Sequence, residues 1–321
     1  MKAAVLHTIG KPPRFEEFPD PVAGQNEAIV SVRAASLKPV DKQIADGSHY
    51  AATQELPAVC GMDGVGLLED GTRVFFGGPR VPYGGMAQRT VVHRMRCFPL
   101  PDTVDDITAA AIFNPGLSAW GALKWRAELS PGQSVLILGA TGVTGKLAIQ
   151  TAKLLGARRV VAAGRNDRVL ASLRELGADA TIRIGESKQD LVDQFSRELK
   201  NGVDVIIDYL WGPPTEALLG AMTRSDLQPA ASRVRLIEVG QSAGAALSLE
   251  AAVLRSSRLE ILGAGTGNAP TSPEVWVEAI HQMLANVTRG ALRIETERVA
   301  LADVEAEWGR ERSGKRVVFV P

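Results

Sequence analysis

The chain has 321 residues, beyond the size at which one hydrophobic core keeps growing, so two domains are expected. Hydrophobic residues make up 45% and charged residues 22%, and 36 Lys plus Arg balance 36 Asp plus Glu, which leaves no basic footprint for nucleic acid or an anionic membrane surface. Cys60 and Cys97 are too few for a disulfide framework or a multi-cysteine zinc lobe, and no run reaches a membrane span, so a cytoplasmic protein is expected.

Short β-type runs fill the first hundred residues: Ala3 to Leu6, Glu27 to Ala34, Gly64 to Leu68, Thr72 to Phe76 and Gln88 to Val92. Gly and Pro separate them, which predicts a small, irregular β-barrel or sandwich. Asp105 to Phe113 reads as a helix, with carboxylates in its first turn. Asn114-Pro115-Gly116 predicts a break, after which Leu117 to Glu128 resumes a helical pattern.

From Ser134 the pattern alternates. Apolar strands are predicted at Val135–Leu138, Val160–Ala163, Ala180–Ile184, Val203–Asp208, Val234–Val239 and Leu259–Leu262. Helices are predicted between them at Gly142–Leu155, Arg168–Leu176, Gln189–Lys200 and Thr215–Met222. Strands that are apolar throughout need cover on both faces, so this half reads as a doubly wound Rossmann domain with a six-stranded parallel sheet. The tail carries a helix from Ser272-Pro273 to about Arg289, then Thr296 to Ala300, a helix-like Asp303 to Arg310 and a strand at Arg316 to Val320. These pieces are expected to rejoin the β-rich domain. The expected boundaries are residues 1–115, 116–264 and 265–321, the first and last forming one discontinuous catalytic domain around an NADP(H)-binding domain.

Gly139-Ala140-Thr141-Gly142-Val143-Thr144-Gly145 directly follows the strand Val135–Leu138 and opens a helix. That context is what a dinucleotide fingerprint requires. Gly142 admits the pyrophosphate to the backbone, Gly145 lets helix and strand pack closely, and the N–H groups at the helix start hold phosphate charge. The second strand ends in Gly164-Arg165-Asn166-Asp167-Arg168. Gly164 stands where an NAD site places its acid, and Arg165, Asn166 and Arg168 follow; a small residue before a cation suits a 2′-phosphate, which predicts NADPH. The alternative for the arginines is solvation at a helix start.

Read in order, several pieces carry a family resemblance: Lys38-Pro39-Val40-Asp41 with Asp46-Gly47, Gly61-Met62-Asp63-Gly64-Val65-Gly66, Gly84-Gly85-Met86-Ala87-Gln88, Ala109-Ala110-Ala111, Ser130-Pro131-Gly132, the glycine loop, Glu175-Leu176-Gly177-Ala178-Asp179 and Ser313-Gly314-Lys315. Over essentially its whole length the chain resembles the medium-chain dehydrogenase/reductase superfamily, in its zinc-free quinone oxidoreductase branch. The resemblance implies a GroES-like β domain interrupted by the Rossmann domain, with the active site in the cleft between them. It also implies a homodimer through the edge strand Leu259–Leu262. Zinc-dependent relatives carry Cys and His ligands; here Met62 stands where a ligand His would be, and Cys60, His49 and His93 lack ligand spacing, so no metal is expected.

What the resemblance implies for single residues is mixed. Asp41 either holds the nicotinamide region or caps a turn. Lys38, where relatives often have Asn, either stabilises an oxyanion or is solvated. Tyr50 either binds or protonates substrate or is a surface aromatic. Asn114 either faces the nicotinamide or ends a helix. The turns Tyr209-Leu210-Trp211-Gly212, Gly240-Gln241-Ser242 and Gly265-Thr266-Gly267 follow the fourth, fifth and sixth strands, at the binding edge of such a sheet, and the resemblance implies that the first lies near the cofactor. Arg310 either reaches the adenylate phosphate or is solvated. The implied function is an NADPH-dependent reductase of quinones or α,β-unsaturated carbonyls. The alternatives are an NADPH-binding protein with little turnover and an enoyl-thioester reductase.

Overall fold

The computed structural model describes residues 1–52, 55–185, 187–223, 232–310 and 314–321. Ser313 of the closing Ser313-Gly314-Lys315 piece lies outside them. Two compact units divide the chain: Met1–Asn114 with Ile294–Pro321, and Pro115–Arg293.

The first unit begins with β1 (Lys2–Leu6), β2 (Arg14–Glu17) and β3 (Glu27–Ser36), then helix α1 (Pro39–Asp46). Strands β4 (Ala58–Val59), β5 (Asp63–Leu67), β6 (Arg73–Gly77), β7 (Arg89–His93) and β8 (Cys97–Pro99) follow, then α2 (Asp106–Trp120). Inward residues of β3, β6 and β7 (Val30, Val32, Val74, Phe76 and Val92) form one apolar cluster, as the period-2 alternation predicts. Helix α1 was not foreseen among the β-type runs. Its signals are Pro39 at the start and Gly47 in the left-handed region at the end (φ 82°).

The predicted break at Asn114-Pro115-Gly116 is absent. Helix α2 runs through Pro115 to Trp120 and widens into one π-helical turn, Gly121–Arg126, where Ala127 N–H bonds Ala122 O at 2.9 Å. A proline inside a helix costs about 3 kcal/mol. Complete burial of Ala109 to Phe113 and the stacking of Phe113 on Phe75 (centroids 3.8 Å apart) offset that cost, so packing overrides local propensity.

The second unit holds β9 (Ser134–Leu138), α3 (Val143–Leu154), β10 (Arg159–Gly164), α4 (Asp167–Ser172), β11 (Ala180–Arg183) and α5 (Lys188–Lys200). Then come β12 (Val205–Asp208), α6 (Gly212–Met222), β13 (Arg233–Glu238), α7 (Ala251–Ser256), β14 (Arg258–Gly263) and α8 (Pro273–Thr288). The six strands are parallel, in the order β11-β10-β9-β12-β13-β14. The order reverses beside β9, and ligands of doubly wound sheets bind outside the carboxyl ends at such a point.

Helix α8 belongs to this unit, so the return to the first unit falls at Arg293/Ile294 and not near residue 265 as expected. The physical reason is visible on α3. The Gln150 side chain donates to Arg293 O (3.0 Å) and accepts from Arg293 N–H (2.8 Å), fixing the end of the α8 segment. The tail then supplies β15 (Thr296–Ala300), α9 (Val304–Trp308) and β16 (Arg316–Val320). Strand β16 pairs with β3, extending the first unit's larger sheet to the order β15-β16-β3-β5-β6-β8, with β7 also on β3.

Candidate functional site

In the second unit, the loop after β9 has the geometry of a phosphate cradle. Gly142 is the N-cap of α3 in extended backbone, and Lys146 N–H makes the bond to Gly142 O at 2.9 Å. The first-turn N–H groups of Val143, Thr144 and Gly145 have no partner within the helix, and the dipole adds positive potential there. A Cβ on Gly145 would lie 2.6 Å from Ala140 Cα and closer still to Gly139 O, so only glycine lets the helix start this close to the strand. Thr141 and Gly142 remain partly or fully exposed beside this turn.

Gly164 ends β10, where the acid of an NAD site is missing. A Cβ there would meet Thr141 Oγ1 at 2.9 Å and Thr141 Cγ2 more closely. Glycine at 164 is therefore also a packing requirement of the Thr141 side chain. Arg165 is exposed and lines a cavity of about 650 Å³ together with Arg183, Gly185, Ser187 and Gln194; Asp190 also faces it. Arg183 was not foreseen. It ends β11 beside Gly164, and its Nε bonds Asp167 Oδ2 at 2.9 Å. Asn166 caps α4, its Oδ1 accepting from Val169 N–H at 3.1 Å, and Arg168 is exposed in the first turn.

Strand β12 ends in Asp208, which is fully buried. Its carboxylate accepts from Leu210 N–H (2.8 Å), Trp211 N–H (3.0 Å) and the Thr215 hydroxyl (2.6 Å). Burial pushes Asp208 up from the usual carboxylate range, against these three donors. They hold Trp211 in the left-handed region (φ 55°), a strained place for a non-glycine residue. Leu210 and Trp211 thus form a fixed turn at the carboxyl edge of the sheet. Glu238, directly across from Asp208 on β13, is also pushed up, by burial and then by the Asp208 charge. Gly240 and Gln241 follow it, and Gly265 and Thr266 form an exposed turn after β14. Tyr209 lies between Asp208 and Leu210, and its hydroxyl is buried without a hydrogen-bond partner.

In the first unit, Lys38 is not solvated and has no free ammonium for an oxyanion. It is 1% exposed, and Nζ reaches Asp63 Oδ1 (2.7 Å), Ser36 O (2.9 Å) and Asp41 Oδ2 (3.2 Å). Burial pulls the Lys38 pKa down, but Asp41 and Asp63 outweigh it and hold the group above its usual range. Asp41 caps α1: Oδ2 accepts from Lys38 N–H (2.8 Å) and Oδ1 from Met62 N–H (3.1 Å). Arg316 completes a buried set of two cations and two carboxylates, donating to Leu37 O at 2.8 Å.

Tyr50 is 80% exposed and stacks on His49 with centroids 4.2 Å apart. Asn114 does not end a helix; it sits inside α2, with its amide 4.0 Å from Met62 Sδ. Arg310 is exposed in the first unit and pairs with Glu307 at 3.2 Å. Burial pushes the Cys60 thiol far above its usual range, which disfavours the thiolate that binds metal. Among the described residues, no three His, Cys, Asp or Glu side chains converge as a metal site, and no helix is long and apolar enough to cross a membrane.

The family profile described as "Zinc-binding dehydrogenase" matches residues 143–285, inside the second unit. Over the full length of both chains, the protein is 25% identical to the "Probable NADPH-dependent quinone reductase" of Emericella nidulans. It is 27% identical to the "Quinone oxidoreductase-like protein 2 homolog" of Nematostella vectensis, over 91% of this chain and 80% of the relative. The quinone oxidoreductase of Thermus thermophilus, solved alone and with NADPH, superposes with a TM-score of 0.81 at 28% identity, covering 100% of both chains. With a nucleotide half and a discontinuous β-rich half that match such proteins end to end, the chain is similar over its whole length to quinone oxidoreductases of the medium-chain dehydrogenase/reductase superfamily.

Proposed function

We propose that the protein is an NADPH-dependent, zinc-independent reductase of quinones or α,β-unsaturated carbonyls. The observation that carries this reading is the carboxyl edge of the parallel sheet. There, a phosphate cradle closes β9, and a turn with Gly164 at the strand end and Arg165 next to it closes β10. The cradle suits the cofactor because glycine at 145 lets α3 start close against the β9 loop, and the first-turn N–H groups of α3 have no partner within the helix. Thr141 to Gly145 would hold the diphosphate, and Arg165, Gly164, Asn166 and Arg168 the 2′-phosphorylated ribose. The turns at Leu210-Trp211, Gly240-Gln241 and Gly265-Thr266 would border the nicotinamide half. When bound, the cofactor supplies a hydride (two electrons and one proton), and the acceptor takes a second proton from the medium to give hydroquinone or saturated carbonyl plus NADP⁺.

A relative named as a probable NADPH-dependent quinone reductase and a quinone oxidoreductase solved in complex with NADPH support the same reading. Zinc independence is supported by the donor set: Met62 offers only a thioether, and Cys60 a thiol held protonated by burial. A dimer through the edge strand β14 forms part of the proposal, because that strand pairs on one side only among the described strands.

The test is a paired NADPH and NADH titration, followed by turnover on a panel of simple quinones, enals and an enoyl thioester. Arg165→Ala is expected to weaken NADPH at least roughly tenfold more than NADH, since one charge-assisted phosphate contact is at stake. Equal weakening of both refutes the phosphate role. Tight NADPH binding without turnover on any acceptor replaces the reductase reading with that of an NADPH-binding protein. That second reading draws on one observation: Lys38 and Asp41 are committed to each other and to Asp63.

A further inference from the structure

We propose that the Tyr209 hydroxyl is the hydrogen-bonding contact for the nicotinamide-side ribose of the bound dinucleotide. The inference rests on the cofactor reading above and assigns a residue that reading does not use.

Three placements lead to it. The sheet order is β10-β9-β12, so β12 lies on the opposite side of β9 from β10. A dinucleotide with its adenosine ribose at the end of β10 and its diphosphate at the end of β9 must carry its second riboside to the end of β12. Tyr209 is the first residue past that end.

The side of the sheet is also fixed. Asp208 bonds Thr215 of α6, so its carboxylate lies on the α6 face. Side chains alternate along a strand, which sends Tyr209 to the other face. The crossover β9-α3-β10 runs in the opposite direction along the sheet from β12-α6-β13. Right-handed connections therefore place α3 and α6 on opposite faces. Tyr209 thus shares both the face and the end of the sheet with the start of α3. Contact is direct: a Cβ on Gly139 would lie 3.2 Å from Tyr209 Cβ.

The residue is held and its hydroxyl is not. Tyr209 N–H bonds Leu138 O (3.3 Å), and Tyr209 O accepts from Ser242 N–H (3.3 Å) and Ser242 Oγ (2.9 Å). The phenol oxygen is buried and has no partner. Leaving a buried donor unpaired is costly, and such groups mark positions where a partner arrives. Burial also pushes the phenol well above its usual titration range, so it meets the ribose as a neutral donor and acceptor.

The experiment measures dissociation constants by calorimetry for NADP⁺ and for adenosine 2′,5′-bisphosphate. The bisphosphate carries the 2′-phosphate but no nicotinamide riboside. The proteins are the wild type, Tyr209→Phe and Arg165→Ala, each also melted without ligand. Tyr209→Phe is expected to weaken NADP⁺ about 5- to 10-fold, to leave the bisphosphate unchanged, and to melt no lower than wild type. Arg165→Ala is expected to weaken both nucleotides. Unchanged NADP⁺ affinity in Tyr209→Phe overturns the contact, and so does equal weakening of both nucleotides with a lower melting temperature, which marks a folding role. A wild type that binds neither nucleotide overturns the cofactor reading itself, and is distinct from either result.

Discussion

Removing the buried ammonium at Lys38 tests whether the residue is structural or catalytic. In Lys38→Met the stem volume is kept and the charge is lost. Two carboxylates face Nζ, at 2.7 Å (Asp63) and 3.2 Å (Asp41). At an effective dielectric of about 20, each attraction is worth about 5 kcal/mol, and desolvating the ion takes back several of these. The remainder agrees with the roughly 3–5 kcal/mol lost when one partner of a buried pair is removed. For a unit of this size that corresponds to a fall of about 10 °C in melting temperature. The assay is thermal unfolding followed by near-ultraviolet circular dichroism. Lys38→Met with Asp63→Leu removes both charges of the closer pair and is expected to recover much of the loss. Because the folded pKa of Lys38 is raised above 10.5, its contribution is fully present below that pH and is lost as pH rises through the folded value. The wild-type advantage over Lys38→Met should therefore persist to strongly alkaline pH. A variant that melts within about 2 °C of wild type but loses turnover would refute the structural role and restore an oxyanion contact.

Gly145→Ala is expected to raise the dissociation constant for NADPH at least roughly tenfold, because its Cβ would press on Ala140 and Gly139 and shift the start of α3 from the loop. An unchanged constant by calorimetry would show that the loop yields without cost. For the dimer, light scattering should give twice the 34.1 kDa chain mass, and Ile261→Lys on β14 should give the monomer. A wild-type monomer at micromolar concentration would remove β14 from the proposal.

The nucleotide half was legible because its signals are local. Val135 to Leu138 reads as a buried strand, Gly142 and Gly145 stand at fixed offsets from it, and the alternation repeats six times. The misreadings come from signals that need the third dimension. Asn114-Pro115-Gly116 has the composition of a break, and only the burial of Ala109 to Phe113 keeps the helix continuous. Lys38 looked solvated or catalytic because Asp63, its closest carboxylate, lies 25 positions away. Helix α8 followed the last parallel strand and read as part of the returning domain; Gln150 on α3 fixes its end instead. Asp208 had a usable signal, a single acid closing the apolar run Val205 to Asp208, with Trp211 and Gly212 just beyond. Tyr209 was legible only as the head of the turn after the fourth parallel strand, since an unpartnered hydroxyl can be recognised only in coordinates.

The side-chain inventory also separates the two acceptor classes. Of the four residues to which catalysis was assigned from sequence, Lys38 and Asp41 are bonded to each other. Tyr50 stands in solvent, and the Asn114 amide has no acidic proton to give. Hydride addition to a quinone leaves a hydroquinone anion, whose basicity is that of a phenolate, with a pKa near about 10. Water protonates such an anion without help. Hydride addition to an enal leaves an enolate, a stronger base that gains from an acid placed beside it. A positioned general acid contributes roughly 10²- to 10⁴-fold. We therefore expect kcat/KM for simple quinones to exceed that for enals of similar size by at least about tenfold. Enal turnover equal to or faster than quinone turnover would mean that a side chain other than these four delivers the second proton.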